Sequence, residues 1–68
     1  MLSKAREYTD LTEQDYSECR VLSYVGGSTW LRTPRNAVLV VTCMTPVQIR
    51  RQFEADPGTR VRAAIYAV

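Results

Sequence analysis

Catalysis needs a positioned acid, base or nucleophile. This chain of 68 residues offers few: seven Asp and Glu, two Cys, four Tyr and no His. Without imidazole there is no histidine general base and no histidine metal ligand. Five of the seven carboxylates, Glu7, Asp10, Glu13, Asp15 and Glu18, stand in the first 18 residues. Asp15 and Glu18 are three apart and would share a helical face, the arrangement of a carboxylate pair. On so polar a segment they read instead as a solvated helix surface. Cys19 and Cys43 lie 24 positions apart with no CxxC spacing, which argues against zinc. They are too few for the stapled framework of a small secreted domain and read as two small, partly buried hydrophobes. Arg20 beside Cys19 is a neighbour in sequence only, and activating a thiol needs a neighbour in space. The run Val25–Thr29 lacks the lysine of a phosphate-binding loop and opens no helix, so its glycines read as a turn. The inventory predicts a protein that is not an enzyme and holds neither metal nor cofactor.

The arginines carry more information. Eight Arg stand against one Lys, a choice that favours planar, two-pronged contacts to carboxylate or phosphate. Their distribution is uneven. Residues 1–18 hold two cations against five anions, net −3, and residues 19–68 hold seven against two, net +5. Arg60 and Arg62 share one face of an extended segment with Tyr66. Arg50 and Arg51 fall on the exposed side of a helix, and Arg32 and Arg35 flank a turn after Trp30. Gathered together, these eight residues would form a basic patch with an aromatic anchor. Such a patch suits an acidic protein surface, because Arg, Trp and Tyr dominate binding hot spots. It also suits phosphates with stacked bases. Otherwise the arginines are a scattered solvated surface whose stems cover the sheet. The overall charge of +2 is modest, and no helix-turn-helix, zinc-finger or RNP-type motif is present, which favours a protein partner over nucleic acid. The acidic head could fold back on the basic body, pair with a second copy or face a partner independently.

Positioning these groups falls to elements with distinct local signals. Residues 1–10 have no strong pattern and are expected to fray. Asp10 with Glu13 forms a candidate capping box for an acidic helical segment over residues 11–18. That helix has no coherent apolar stripe, since Leu11 and Tyr16 lie on different sides of it. Arg20–Val25 and Ser28–Thr33 are extended runs around Gly26-Gly27, the signature of a hairpin. Pro34-Arg35-Asn36 is a turn. Ala37–Cys43 is nearly all apolar, as a strand buried on both faces would be. Thr45-Pro46-Val47-Gln48 joins an N-cap, a first-position Pro and a capping partner, predicting a helix over 46–55 with Ile49 and Phe53 turned inward. Asp56-Pro57-Gly58 ends it. Arg60–Val68 alternates as a strand.

The fold class expected is α+β, as one small domain. It has a short N-terminal helix, a β-hairpin and a strand–helix–strand unit. The sheet is mixed, with three or four strands, the last two parallel, and one helix packed on one face. The body spans residues 19–68. The uncharged C-terminal strand, Ala64–Val68, is expected at an open edge and offers a route to a homodimer or to a partner's strand. No apolar run approaches the roughly 18 residues of a membrane span, and the first residues lack the apolar core of a signal peptide, so the cytoplasm is the expected compartment and no membrane partner is expected. These features together predict a small interaction module that binds a larger protein complex. Stoichiometric inhibitors or regulators of host transcription, defence or restriction machinery, encoded by bacteriophages or mobile elements, are of this class. The contact would be Trp30, Arg32, Arg35, Arg50, Arg51, Arg60, Arg62 and Tyr66 against an acidic or nucleic-acid-binding surface, acting by steric or electrostatic occlusion. The second reading is a small nucleic-acid binder using the same arginines on phosphates.

Overall fold

The computed structural model describes residues 7–66. The strongest local signals become elements almost unchanged. The pair Gly26 and Gly27 takes φ of 63° and 80°, the two positive values a tight two-residue hairpin turn demands. This turn joins β2 (Arg20–Val25) to β3 (Ser28–Arg32). Asn36 supplies the left-handed position of the next turn, at φ 67°. The apolar run becomes β4 (Val38–Val41), all four of whose residues are buried. Thr45 caps α2 (Pro46–Ala55): the Gln48 N–H donates to Thr45 Oγ1 at 3.3 Å, and the Thr45 N–H donates to Gln48 Oε1 at 2.9 Å. Ile49 and Phe53 are both fully buried beneath it. β5 (Val61–Tyr66) closes the described chain; the expected continuation through Val68 lies outside the described residues.

The N-terminal expectation is corrected. Residues 7–10 do not fray: Glu7–Leu11 form β1, paired antiparallel to β5 from Glu7 opposite Ile65 to Leu11 opposite Val61. Residues 1–6 lie outside the described residues. With Asp10 and Leu11 held in a strand, the helix starts later than the Asp10 cap required. α1 (Glu13–Glu18) is capped by Thr12 and Asp15, the same three-residue spacing moved two positions on. Leu11 and Tyr16 both join the core, so the acidic head is part of the same packed unit as the basic body.

The sheet is also corrected. It has five strands in the order β1-β5-β4-β3-β2, and every pairing is antiparallel. The helical connection permits either sense of return. Ten helical residues span about 15 Å, and the segment 56–60 can reach about 17 Å when extended, enough to bring the chain back to the end of β4 it left. β5 therefore runs antiparallel to β4 and lies between it and β1, so among the described residues the C-terminal strand is interior rather than the expected open edge. The edges are β1 and β2.

Two helices, rather than one, cover a single face. Leu31, Leu39, Val41, Val61 and Ala63 point toward that layer with Leu11, against Tyr16, Ile49 and Phe53. The rings of Tyr16 and Phe53 stand 5.8 Å apart and tilted by 38°. Buried Thr29 fastens the layer, donating from Oγ1 to the Met44 carbonyl at 2.7 Å. No helix among the described residues is long and apolar enough to cross a membrane.

Truncating Phe53 to Ala removes about 3–5 kcal/mol, as much as a core of this size supplies in total, about 3–5 kcal/mol. F53A is expected to be unfolded at 25 °C by far-ultraviolet circular dichroism. T45A loses about 1 kcal/mol with its cap and is expected to stay folded with a lower melting midpoint.

Candidate functional site

Strand register decides which side chains share the face that the helices leave open, because directly opposed residues point the same way. One row runs Tyr8, Ala64, Val40, Trp30 and Ser23 across β1, β5, β4, β3 and β2. The adjacent row runs Tyr66, Val38, Arg32 and Arg20. Asp10 and Arg62 oppose each other on the other side of the first row. Trp30 and Tyr66 reach diagonally over β4 and meet with ring centroids 5.8 Å apart. Together they shield Val38 and Val40, which accounts for a strand buried on both sides although helices cover only one. Across the next strand pair, the Arg62 guanidinium sits 4.4 Å from the centroid of the exposed Tyr8 ring. A shallow depression of ≈ 250 Å³ opens there between Tyr8, Arg62, Ala64, Val40 and Thr42.

The eight residues singled out from the sequence do not form one patch. Trp30, Arg32, Arg62 and Tyr66 share the open face, with Arg32 donating from Nη1 to Asn36 Oδ1. Arg60 stands exposed, one residue before β5. Arg50 and Arg51 belong to the helical layer. Arg50 donates to Glu13 Oε2 at 3.3 Å and lies 5.4 Å from the centroid of the Tyr16 ring. The partners are 41% and 44% exposed, so this pair contributes little stability. Arg51 lines the rim of a groove between α1, α2 and β2. Arg35, in the turn after β3, lines a depression with Asp15 and Glu18 on the helical side. Sequence reasoning missed Tyr8 and Arg20. Their signal was the alternation of Tyr8 and Asp10 with Thr9 and Leu11, and of Arg20 with Val21.

Charge therefore divides by layer. The open face carries Arg20, Arg32 and Arg62 against Asp10. The helices and their ends carry Glu13, Asp15, Glu18, Glu54 and Asp56 against Arg50 and Arg51.

Asp15 and Cys19, two of the groups that could do chemistry, have structural contacts. The Asp15 carboxylate accepts the Thr12 N–H at 3.2 Å as half of the α1 cap. Cys19 packs against the core and donates from Sγ to the Asp15 carbonyl at 3.3 Å. Burial pushes its thiol up, and Asp15 and Glu18 push it further in the same direction, opposite to what an attacking thiolate requires. Cys43 is exposed rather than partly buried, because it takes the left-handed position, φ 63°, of the turn leaving β4. Among the described residues no group of three or more Cys, Asp and Glu is placed to hold a metal ion.

The Tyr16 phenol is also raised, mainly by burial, against the opposing effect of Arg50. Both Tyr16 and Cys19 hold their protons more tightly when folded than when unfolded. Their contribution is full below the ordinary thiol and phenol ranges and is lost as pH rises through the first and then the second. The urea midpoint is expected to be level near neutrality and to fall on the alkaline side. C19S is expected to remove the first part of that fall and leave the second.

No family model, no curated protein and no solved structure matches this chain.

Proposed function

We propose that the chain is a binding module without catalytic chemistry, and that it docks an acidic surface of a larger protein through the open face of its sheet. One observation carries this. Among the described residues, a sheet face free of helices combines Trp30, Tyr66 and Tyr8 with Arg20, Arg32 and Arg62, while most of the acidic groups lie on the opposite layer. Those residue types supply large contact area at low entropic cost and two-pronged contacts to carboxylates. Trp30 and Tyr66 already pack on each other and on β4 before a partner arrives, so less order must be gained on binding. Occlusion of the partner's surface follows from the contact itself and needs no further machinery. A partner in host transcription, defence or restriction machinery is the class this reading favours.

Nucleic acid is the second reading, favoured by the same arginines. Base stacking needs free aromatic faces. Here Trp30 and Tyr66 lean on each other, and Arg62 already covers one side of Tyr8. That geometry, with Asp10 in the same field, supports a protein surface better than a strand of bases.

Trp30 is the only tryptophan, so its fluorescence reports directly on occupancy of this face. Titration with polyglutamate is expected to shift it, and R32E/R62E to weaken that binding by about tenfold or more. R51E, on the other layer, is expected to leave it unchanged. A random-sequence single-stranded oligonucleotide that binds more tightly than polyglutamate, with steep salt dependence, would replace this reading with the second. Equal losses from R32E/R62E and R51E would show that the face is not the site.

A further inference from the structure

β2 is an edge strand whose six residues are all exposed. Four of the large apolar side chains left in solvent belong to it: Val21, Leu22, Tyr24 and Val25. The other edge, β1, carries Glu7 and Asp10, the kind of charge that guards an edge against pairing. β2 has a single charge, Arg20, at its start. From these features we propose that β2 pairs antiparallel with β2 of a second copy about a twofold axis, joining two five-stranded sheets edge to edge.

The register follows from a bulge. Val21 opposes Leu31 and Ser23 opposes Trp30, so β2 advances two residues where β3 advances one, and Leu22 is the extra residue. In a regular strand, a twofold axis between two neighbouring residues would set opposed side chains on opposite faces. The extra residue removes that conflict. With the axis between Leu22 and Ser23, Arg20 meets Val25 of the second copy, and both lie on the open face. Val21 meets Tyr24 of the second copy, and both lie on the helical side. Arg20 faces no like charge in this arrangement.

The helical side supplies the complement. An open groove of ≈ 580 Å³ runs between α1, β2 and α2, with Val21, Val47, Pro46 and Tyr16 in its walls. Val47, on its α2 wall, is 60% exposed. The pairing brings Tyr24 of the second copy beside Val21, at the mouth of this groove, where an aromatic side chain has apolar wall to cover. Six residues a side is a small interface, so the dimer is concentration-dependent rather than obligate. It would also add stability to a core of marginal size.

Sedimentation equilibrium of the full chain tests this. The weight-average mass is expected to rise with concentration from 7.7 kDa toward twice that value. V25K sets a cation against Arg20 of the second copy and is expected to abolish the rise. V25E sets a carboxylate there and, because the twofold makes the pair twice, is expected to tighten the dimer by up to about thirtyfold. Val25 is 69% exposed, so both variants should keep the wild-type circular dichroism spectrum. A wild-type chain that stays monomeric would overturn the proposal. So would Lys and Glu at Val25 acting in the same direction, which would mean an apolar contact without this register. A dimer lost by Y8K on β1 and kept by V25K would place the contact on the other edge.

Discussion

Water must be kept from both sides of β4. Val38, Leu39, Val40 and Val41 leave the strand with no polar face, and burying four such side chains is the largest local reward in a chain this short. A strand of this kind must be central, and β4 is third of five. Leu39 and Val41 are covered by the helices through Ile49 and Phe53. Val38 and Val40 have no helix above them. Their cover is Trp30 from β3 and Tyr66 from β5, reaching toward each other across the strand between them. The aromatic pair that looks like a binding feature is thus also a second, thinner core above β4.

The same requirement arranges the charges. Once Val38 and Val40 set the open face, strict alternation sends Arg32 and Arg62 to it with their neighbours Trp30, Ala64 and Tyr66. The helices, excluded from that face, bring their acids to the other side, and Arg50 is absorbed there by Glu13 and Tyr16. A difference in charge that runs along the sequence becomes a difference between the two layers of the fold. Neither layer is charged enough to act at long range in salt. What distinguishes the sheet face is that its guanidinium groups share it with three aromatic rings, Arg62 lying over that of Tyr8.

What could be read from the sequence was what is fixed within a few residues. Gly26-Gly27 can make a tight turn by its own backbone freedom. Thr45 and Gln48 cap each other over one helical turn. Ile49 and Phe53 meet at one helical spacing, and the run 38–41 is apolar whatever surrounds it. What could not be read depends on partners distant in sequence. β1 has one core residue of weight, Leu11, and becomes a strand because β5 offers it an edge fifty or more positions later. The Asp10 cap was sound local chemistry overridden by that pairing, and Thr12 with Asp15 took over the same role. The sense of β5 against β4 was equally undetermined, since helix and loop reach either end. The candidate site inherited this limit. Alternation correctly grouped Arg62 with Tyr66, but only the topology separates Arg50 and Arg51 from them and adds Tyr8 and Arg20.

The position of β2 follows from the same economy. With two short helices, the helical layer covers β1, β5, β4 and β3 and stops, so Val21 and Tyr24 on its own side of β2 stay exposed. α2 ends after ten residues, at Asp56-Pro57-Gly58. The strand is still required, because without it β3 would be the edge and Trp30 would lose its neighbour Ser23. β2 thus shields the sheet while having no shield itself. Its Leu22 bulge sets Arg20 and Val25 on one face and Val21 and Tyr24 on the other, so that the strand can be laid against its own reverse with matching faces. An open edge with side chains this apolar is where a small sheet gains most by being extended.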